Sequence, residues 1–201
     1  MIAKGSLPLI LIPLIPALIL MFLMVIPIAI IFFLIFFFFL IFFRDPERTI
    51  GEDIISPADG KISIIEKKSD YMRISIVMSL FNVHVNRASI SGKVTSIVHH
   101  EGAHVPAFNK DSEANERVQI TLSTKLGEVK IIQIAGIFAR RIVTYINKSD
   151  NIQKGQRIGI IRFGSRVDLY LPKKSIKLKI KIGDKVRAGK TSLASEVKNE
   201  G

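Results

Sequence analysis

The feature that most constrains this chain is a long uncharged segment: no Asp, Glu, Lys or Arg occurs from Ser6 to Phe43. A single membrane-spanning helix needs only about 20 apolar residues, so the segment is nearly twice as long as one span requires. Prolines at positions 8, 13, 16 and 27 disfavour one straight helix. We therefore predict a hydrophobic membrane anchor over residues 1–43, either one kinked span or a tight hairpin of two short spans.

The distribution of charge predicts how the chain meets the membrane. The formal net charge is +12 at pH 7, and Lys4 is the only charged side chain before Arg44. By the positive-inside rule, Arg44, Arg48 and Lys173-Lys174 favour a position of residues 44–201 on the cytoplasmic side of the cell membrane, whereas Lys4 favours the hairpin. The basic residues are scattered through strand-like runs and form no nucleic-acid-binding motif. We expect an anionic membrane surface as partner, and no nucleic acid.

Residues 44–201 have the size of one ordinary domain and consist of short β-branched runs separated by turns. The strict alternation of Lys and apolar residues over residues 177–182 is typical of a strand. We predict a mostly-β domain with closed or sandwiched sheets. Two stretches, SPADGKISIIE and IKIGDKVRAGKTSLA, resemble the hairpins of biotinyl/lipoyl carrier domains. The fold class we expect is therefore a barrel-sandwich-hybrid-like β domain behind an N-terminal hydrophobic membrane segment.

Three positions in this domain could carry chemistry. Gly164-Ser165 lies between the strand-like runs IGII and VDLYLP, and a Ser there could attack the preceding carbonyl if a base lay nearby; a plain turn is the alternative. His84 is the natural general base near neutral pH, although a single His on a strand is commonly structural. Asp59 could orient a His, or simply mark an Asp-Gly turn.

The remaining candidate side chains are weaker. The chain has no cysteine, which excludes disulfides, thiolate chemistry and Cys-based zinc sites. Three other histidines lie near a polar stretch, and we interpret them as solvent-exposed or secondary: His99, His100 and His104.

Several motifs follow one another along the chain in a fixed order: FRDPER, SPADGKI, MSLFNVHVNR, EANER, IQIAGIFARRIV, GQRIGIIRFGSRVDLYLP and GDKVRAGKTSLA. In this combination the sequence strongly resembles the short form of phosphatidylserine decarboxylase, from roughly Phe43 to Ala194. The resemblance implies an inactive proenzyme in which Asp59, His84 and Ser165 match the protease-like triad of the family.

The resemblance also implies the chemistry. Ser165 attacks the Gly164 carbonyl, and elimination and hydrolysis then leave a covalent pyruvoyl cofactor formed from Ser165. The products are a β chain of residues 1–164 and an α chain of residues 165–201. The pyruvoyl group forms a Schiff base with the amine of membrane phosphatidylserine and accepts the electrons that decarboxylation releases. The lipid product is phosphatidylethanolamine, His84 is the candidate proton donor, and no metal is required.

Two positions depart from longer members of the family, which carry a second His three residues before the catalytic one and a Gly-Ser-Thr motif. Here those positions are Phe81 and Arg166, so no second His is assigned to carboxylate recognition or proton donation. Arg166 is a candidate contact for the substrate phosphate or carboxylate, with a surface strand position as the alternative.

Two other classes of protein remain as alternatives. An M23-like zinc peptidase would need two His and one Asp, including a His-x-His pair, but the residue two positions after His84 is Asn86. A non-catalytic carrier-like module would present a modifiable Lys at a hairpin tip, and the tripeptide typical of that site is not found in the sequence. Both alternatives are therefore disfavoured.

Overall fold

The computed structural model of the chain describes residues 1–102, 115–136, 141–162 and 165–197. It divides into two compact units, Met1–Glu47 and Arg48–Gly201. The first unit is helical and the second is built from strands.

The helices of the N-terminal unit follow the prolines in its sequence: α1 (Leu7–Leu11), α2 (Leu14–Phe22) and α3 (Ile26–Phe42). A proline stands within the first two residues of α1 and of α3, where the missing N–H costs no hydrogen bond. Between α2 and α3, Met24 adopts a left-handed backbone conformation with φ of 60°. The expectation that this segment cannot form one straight helix is confirmed.

The two ends of the N-terminal unit lie side by side. Ile2 and Arg44 form an antiparallel bridge, and the Ala3 amide donates a hydrogen bond of 2.8 Å to the Phe43 carbonyl. The helices between these ends therefore form a hairpin. The longest of them, α3, has 17 residues. No helix in the part of the chain that the structure describes is both long enough and apolar enough to cross a membrane, so the predicted spanning segment is not supported.

The second unit contains antiparallel strands in three sheets. The described strands are β1 (Ile54–Ile55), β2 (Gly60–Lys67), β3 (Tyr71–Met78), β4 (Val85–Arg87), β5 (Gly92–His100), β6 (Arg117–Thr124), β7 (Gly127–Ala135), β8 (Ile142–Thr144), β9 (Asn151–Ile152), β10 (Arg157–Ile161), β11 (Ser165–Pro172), β12 (Ile176–Leu178), β13 (Lys185–Val186) and β14 (Ser192–Glu196). The largest sheet has the order β13-β2-β3-β11-β7-β6-β5-β9, and the smaller sheets have the orders β1-β14-β12 and β4-β10-β8.

β11 lies near the centre of the largest sheet, between β3 and β7. Val167, Leu169 and Leu171 on this strand are fully buried and join the hydrophobic core. Alternate residues of a strand point to opposite faces, so this set lies on one face of the sheet. The mostly-β prediction is confirmed, and the start of β11 is fixed by a strand on each side.

The two hairpin-like stretches of the sequence pair with each other. Strand β2 from the first stretch runs antiparallel to β13 from the second, and Lys61 lies opposite Lys185. This pairing is consistent with a curled β-rich domain, and the finer barrel-sandwich-hybrid class stays a prediction.

One strand prediction is wrong in its extent. The alternating run at residues 177–182 is a strand only as far as Leu178, the end of β12. The backbone then turns, because the Asp184 carboxylate accepts a hydrogen bond of 2.9 Å from the Lys181 amide. A local side-chain bond to the backbone competes here with continuation of the strand.

Candidate active site

Ser165 is the first residue of β11, and its backbone lies opposite Met78 on β3 and Ala135 on β7. Its side chain is only 1% exposed, and the hydroxyl donates to the Met78 sulfur at 3.2 Å. The predicted cleavage partner Gly164 lies outside the described residues. Ser165 is therefore a buried hydroxyl at a strand start that is held from both sides.

His84 lies directly before β4 and is fully buried. Its carbonyl accepts a hydrogen bond of 3.3 Å from the Ile161 amide at the end of β10. Nδ1 of its ring lies 2.9 Å from the Asn82 carbonyl oxygen. A carbonyl oxygen can only accept, so Nδ1 carries the proton in this contact, and the lone pair of the neutral ring is on Nε2. This tautomer presents a basic nitrogen inside the protein.

Asp59 lies in the turn before β2 and is 7% exposed. Its carboxylate forms a two-point ion pair with Arg48, in which Oδ2 lies 2.9 Å from Nη2. The Ala188 amide donates to Oδ1 at 2.8 Å. The predicted orienting carboxylate is therefore held by a guanidinium and a backbone amide, and its contact with His84 stays a prediction.

One cleft of about 970 Å³ lies beside these positions. Its walls include Asp59, Met78 and Asn82. Met78 contacts the Ser165 hydroxyl, and Asn82 contacts the His84 ring. Of the predicted triad, Asp59 lines the cleft, whereas Ser165 and His84 are buried behind residues that line it.

Arg166 follows Ser165 on β11 and is 3% exposed. Its Nε lies 2.9 Å from Oδ1 of Asp168. The other carboxylate oxygen of Asp168, Oδ2, lies 2.8 Å from Nη2 of Arg73. Arg166 is therefore a buried residue rather than the surface residue of the alternative interpretation. Its contact with substrate stays a prediction.

The other histidines are remote from these contacts or are not described. His99 is half-exposed on β5, and its Nε2 lies 3.0 Å from a Glu116 carboxylate oxygen. His104 lies outside the described residues. Within the described ranges, no group of three His, Cys, Asp or Glu side chains could hold a metal ion.

Two arginines lie beside the segment that leads to the predicted cleavage position. The Arg162 amide donates a long hydrogen bond of 3.4 Å to the Arg141 carbonyl. Burial, and then repulsion from Arg141, lowers the pKa of the Arg162 guanidinium below its ordinary value. Two like charges therefore lie near each other, one directly before β8 and the other just before β11.

Three contact residues of the site were not assigned from sequence. Arg48 lies in the FRDPER motif, and Met78 and Asn82 lie in the MSLFNVHVNR motif. Their position inside these motifs was the signal in the sequence that could have identified them as contact residues of the site. The partners of these residues, Asp59, Ser165 and His84, were not assigned to them from the sequence.

Comparison with known proteins identifies the family to which this site belongs. A family model described as phosphatidylserine decarboxylase matches residues 35–194. The chain belongs to the phosphatidylserine decarboxylase family. The resemblance found in the sequence is thereby confirmed, and the chain is an enzyme of the decarboxylase class.

Relatives in this family come from bacteria and from archaea. The phosphatidylserine decarboxylase proenzyme of Streptomyces coelicolor is 51% identical over 154 residues, which cover 76% of this chain and 70% of the relative. That of Desulfotalea psychrophila is 51% identical over 164 residues and 76% of each chain. A Methanosarcina mazei protein named "Putative archaetidylserine decarboxylase proenzyme" is 50% identical over 162 residues, 79% of this chain and 75% of its own.

Proposed function

We propose that this phosphatidylserine decarboxylase family member cleaves itself before Ser165 and then converts phosphatidylserine to phosphatidylethanolamine and carbon dioxide. The observation that supports the proposal is that Asp59 lines a cleft together with Met78, which contacts the Ser165 hydroxyl, and Asn82, which contacts the His84 ring. A nucleophile, a base and a carboxylate are the groups that a self-processing acyl transfer requires.

In the maturation step, Nε2 of His84 accepts the proton of the Ser165 hydroxyl, and Oγ attacks the Gly164 carbonyl carbon. The peptide nitrogen leaves, so the amide becomes an ester between residues 164 and 165. Loss of the Ser165 α-proton then expels the residue-164 carboxylate and breaks the chain. Water adds to the resulting dehydroalanine and releases ammonia, which leaves a pyruvoyl group at the start of the 165–201 chain.

In the decarboxylation step, the pyruvoyl carbonyl supplies the electron sink that ordinary side chains lack. The position of Ser165 suits a pyruvoyl group, because the residue is buried between Met78 and Ala135 at the start of a central strand. The role of His84 is to hold a proton near the substrate Cα, because its Nδ1 is fixed by the Asn82 carbonyl and Nε2 is the exchanging nitrogen. Burial of the site excludes water that would otherwise quench the wrong atom.

A second candidate substrate is archaetidylserine, which the name of the Methanosarcina mazei relative specifies. The two lipid names share the seryl headgroup and differ in the lipid part. We therefore expect the headgroup to react beside the cleft that Asp59 lines in either case. A direct comparison of the two lipids in one assay decides between them.

We also propose that the N-terminal unit attaches the enzyme to the cell membrane from one side, with the β unit on the cytoplasmic side. Support comes from the hairpin turn between α2 and α3, where Phe22 is 86% and Met24 is 81% exposed. The opposite end of the hairpin carries Lys4 and Arg44. The apolar turn is suited to a bilayer interior. The opposite end, with its positive charges, is suited to an anionic headgroup surface.

The test is the intact mass of the purified protein together with carbon dioxide release from phosphatidylserine. The wild type should give two chains split before Ser165, with a pyruvoyl N-terminus on the smaller. Ser165→Ala should remain one chain of 22.5 kDa and be inactive. Ser69→Ala, at an exposed turn whose hydroxyl contacts Asp70, is the matched control and should cleave normally. A cleaved Ser165→Ala protein would refute the proposed maturation.

A further inference from the structure

Two lysines face each other across the edge of the largest sheet. In the antiparallel pair of β2 and β13, Lys61 lies directly opposite Lys185, and both side chains are open to solvent. Like charges in directly opposite positions destabilise a sheet. The arrangement therefore calls for a compensating anion.

The part of the chain that the structure describes does not supply that anion. Among the described residues, no carboxylate forms an ion pair with Lys61, Lys185 or the nearby Arg187. Asp184, adjacent in sequence, accepts a hydrogen bond from the Lys181 amide within its own turn. These three side chains, which we name the basic triplet (Lys61, Lys185 and Arg187), carry an excess of positive charge.

The basic triplet lines the same cleft as Asp59 and Met78. Asp59, the carboxylate on that wall, is already ion-paired with Arg48, so it does not neutralise the triplet. Ile182, at the rim, is 61% exposed and offers an apolar contact. The cleft thus has a cationic wall and an apolar rim, and it is also lined by Met78, which contacts the Ser165 hydroxyl.

We propose that the basic triplet binds the phosphodiester of the lipid headgroup and so places the seryl group at Ser165; this inference rests on the proposed function. Phosphate oxygens are strong acceptors, and lysine and arginine side chains are their usual partners. In the substrate, the phosphate is attached to the serine side-chain oxygen, so a phosphate held at the triplet directs the serine amine and carboxylate along the cleft. The triplet then contributes to substrate binding and not to bond breaking.

The kinetic test uses phosphatidylserine dispersed in an uncharged detergent, because no anionic surface is then present except the substrate. Lys61→Met and Lys185→Met should each raise KM about tenfold, the loss expected for one charge-assisted hydrogen bond, with little change in kcat. Lys61→Arg should restore KM. Lys67→Met, the same substitution on an exposed lysine of β2 outside the cleft lining, is the matched control and should behave as the wild type.

A second measurement separates the headgroup from other phosphates and does not depend on turnover. Calorimetry should detect binding of glycerophosphoethanolamine, the product headgroup without acyl chains, and Lys61→Met should weaken it at least fivefold while Lys67→Met does not. Inorganic phosphate should compete only weakly, because it lacks the rest of the headgroup. Equal competition by inorganic phosphate would overturn the assignment to the lipid phosphodiester.

The outcomes distinguish this inference from the proposed function. Unchanged KM and unchanged calorimetric binding in both Met variants of a self-cleaving, active enzyme would overturn the basic triplet alone. A rise in KM that the Met variants show only on anionic vesicles would also overturn the basic triplet as a phosphate site. The lysines would then only attract the enzyme to the membrane surface. If the wild type neither cleaves nor decarboxylates but binds the headgroup through Lys61, the proposed function fails and the phosphate site stands.

Discussion

Most large apolar side chains face outward in the helical unit and inward in the β unit. In the helical unit, the fully or nearly fully buried positions include the small residues Ala17 and Ala29, while Phe22 and most large aliphatic side chains face outward. In the β unit, the Ile, Val and Leu side chains of the strands fill the interior. A soluble surface rarely exposes such a continuous apolar area. The comparison indicates that the helical unit is suited to apolar surroundings and the β unit to water.

The units also differ in where polar groups are buried. The helical hairpin buries few of them, whereas the β unit buries Ser165, His84, Asn86 and Gln133. Gln133 donates a hydrogen bond of 2.8 Å to the Asn86 side chain, and Asn86 lies 3.9 Å from the Met78 sulfur. Buried polar groups cost stability unless they are satisfied, so the polar groups buried around Met78 and Ser165 are consistent with the proposed active site.

The largest effect is expected from the buried base of the β unit. His84→Gln should slow self-cleavage by at least about 100-fold, because the Ser165 hydroxyl is a poor nucleophile without general-base assistance. The measurement is the rate at which the two chains appear after synthesis, followed by mass. His100→Gln, a histidine on β5, is the control and should process at the wild-type rate. A normal rate in His84→Gln would mean that this residue is only structural.

The next effect concerns the buried ion pair between Arg48 and Asp59, whose side chains are each 10% exposed. Arg48→Met leaves a buried carboxylate without its cation, and we expect the free energy of unfolding to fall by about 3–5 kcal/mol. Asp59→Asn keeps an acceptor for the Ala188 amide and should cost less. Denaturant unfolding of the full chain in detergent, in the uncleaved Ser165→Ala background, measures both.

Combining Arg48→Met with Asp59→Asn sharpens this test. The double variant should be more stable than the sum of the single losses predicts, because no charge is left uncompensated. Strictly additive losses would show that the pair does not couple. Asp59→Ala should in addition slow maturation, which the rate of chain separation reports.

A smaller effect is expected from the exposed surface of the helical unit. Phe22→Asp removes the most exposed phenylalanine of the hairpin turn, and membrane partition should fall roughly tenfold, the value of one buried aromatic side chain. Flotation of the protein with vesicles measures this. Val98→Asp, at an exposed position on β5, should leave flotation unchanged. Equal flotation of the Phe22 variant and the wild type would break the proposed contrast between the two units.

The smallest effect is expected at an exposed ion pair of the β unit, where the Lys179 ammonium lies 2.7 Å from the Asp53 carboxylate. The hydrogen bond from Lys179 lowers the pKa of Asp53 below its ordinary value of 3.8. A depressed folded-state pKa means that this contribution to stability is present above pH 3.8 and is lost as the pH falls through the lower, folded-state pKa.

Lys179→Met should therefore lower Tm slightly at neutral pH, and the difference should close in strong acid. Lys177→Met, an exposed lysine on β12, should show no such pH-dependent difference. A Tm difference that persisted unchanged in strong acid would contradict the assignment to this pair. The loss of stability in Lys179→Met should be much smaller than that in Arg48→Met. The difference would show how much burial adds to the stabilisation by an ion pair.

Local pattern in the sequence was sufficient for several conclusions. The uncharged segment with its prolines predicted an interrupted apolar unit, and α1, α2 and α3 begin and end around those prolines. Alternating β-branched runs predicted strands such as β3, β7 and β11. These features depend on side-chain periodicity and backbone restriction within a few residues. The ordered motifs were specific enough to predict the family.

The tertiary structure decided which groups meet, because contacts between distant segments depend on strand register and packing that no local pattern contains. Sequence reasoning offered Asp59 as an orienting partner of His84, and that role stays a prediction; the fold adds Arg48 as a partner of Asp59 and the Asn82 carbonyl as a partner of His84. The register of β2 and β13 sets Lys61 against Lys185, although more than half of the chain separates them in sequence. Residue types and spacing determined which chemical groups are available, and only long-range pairing determined which of them contact one another.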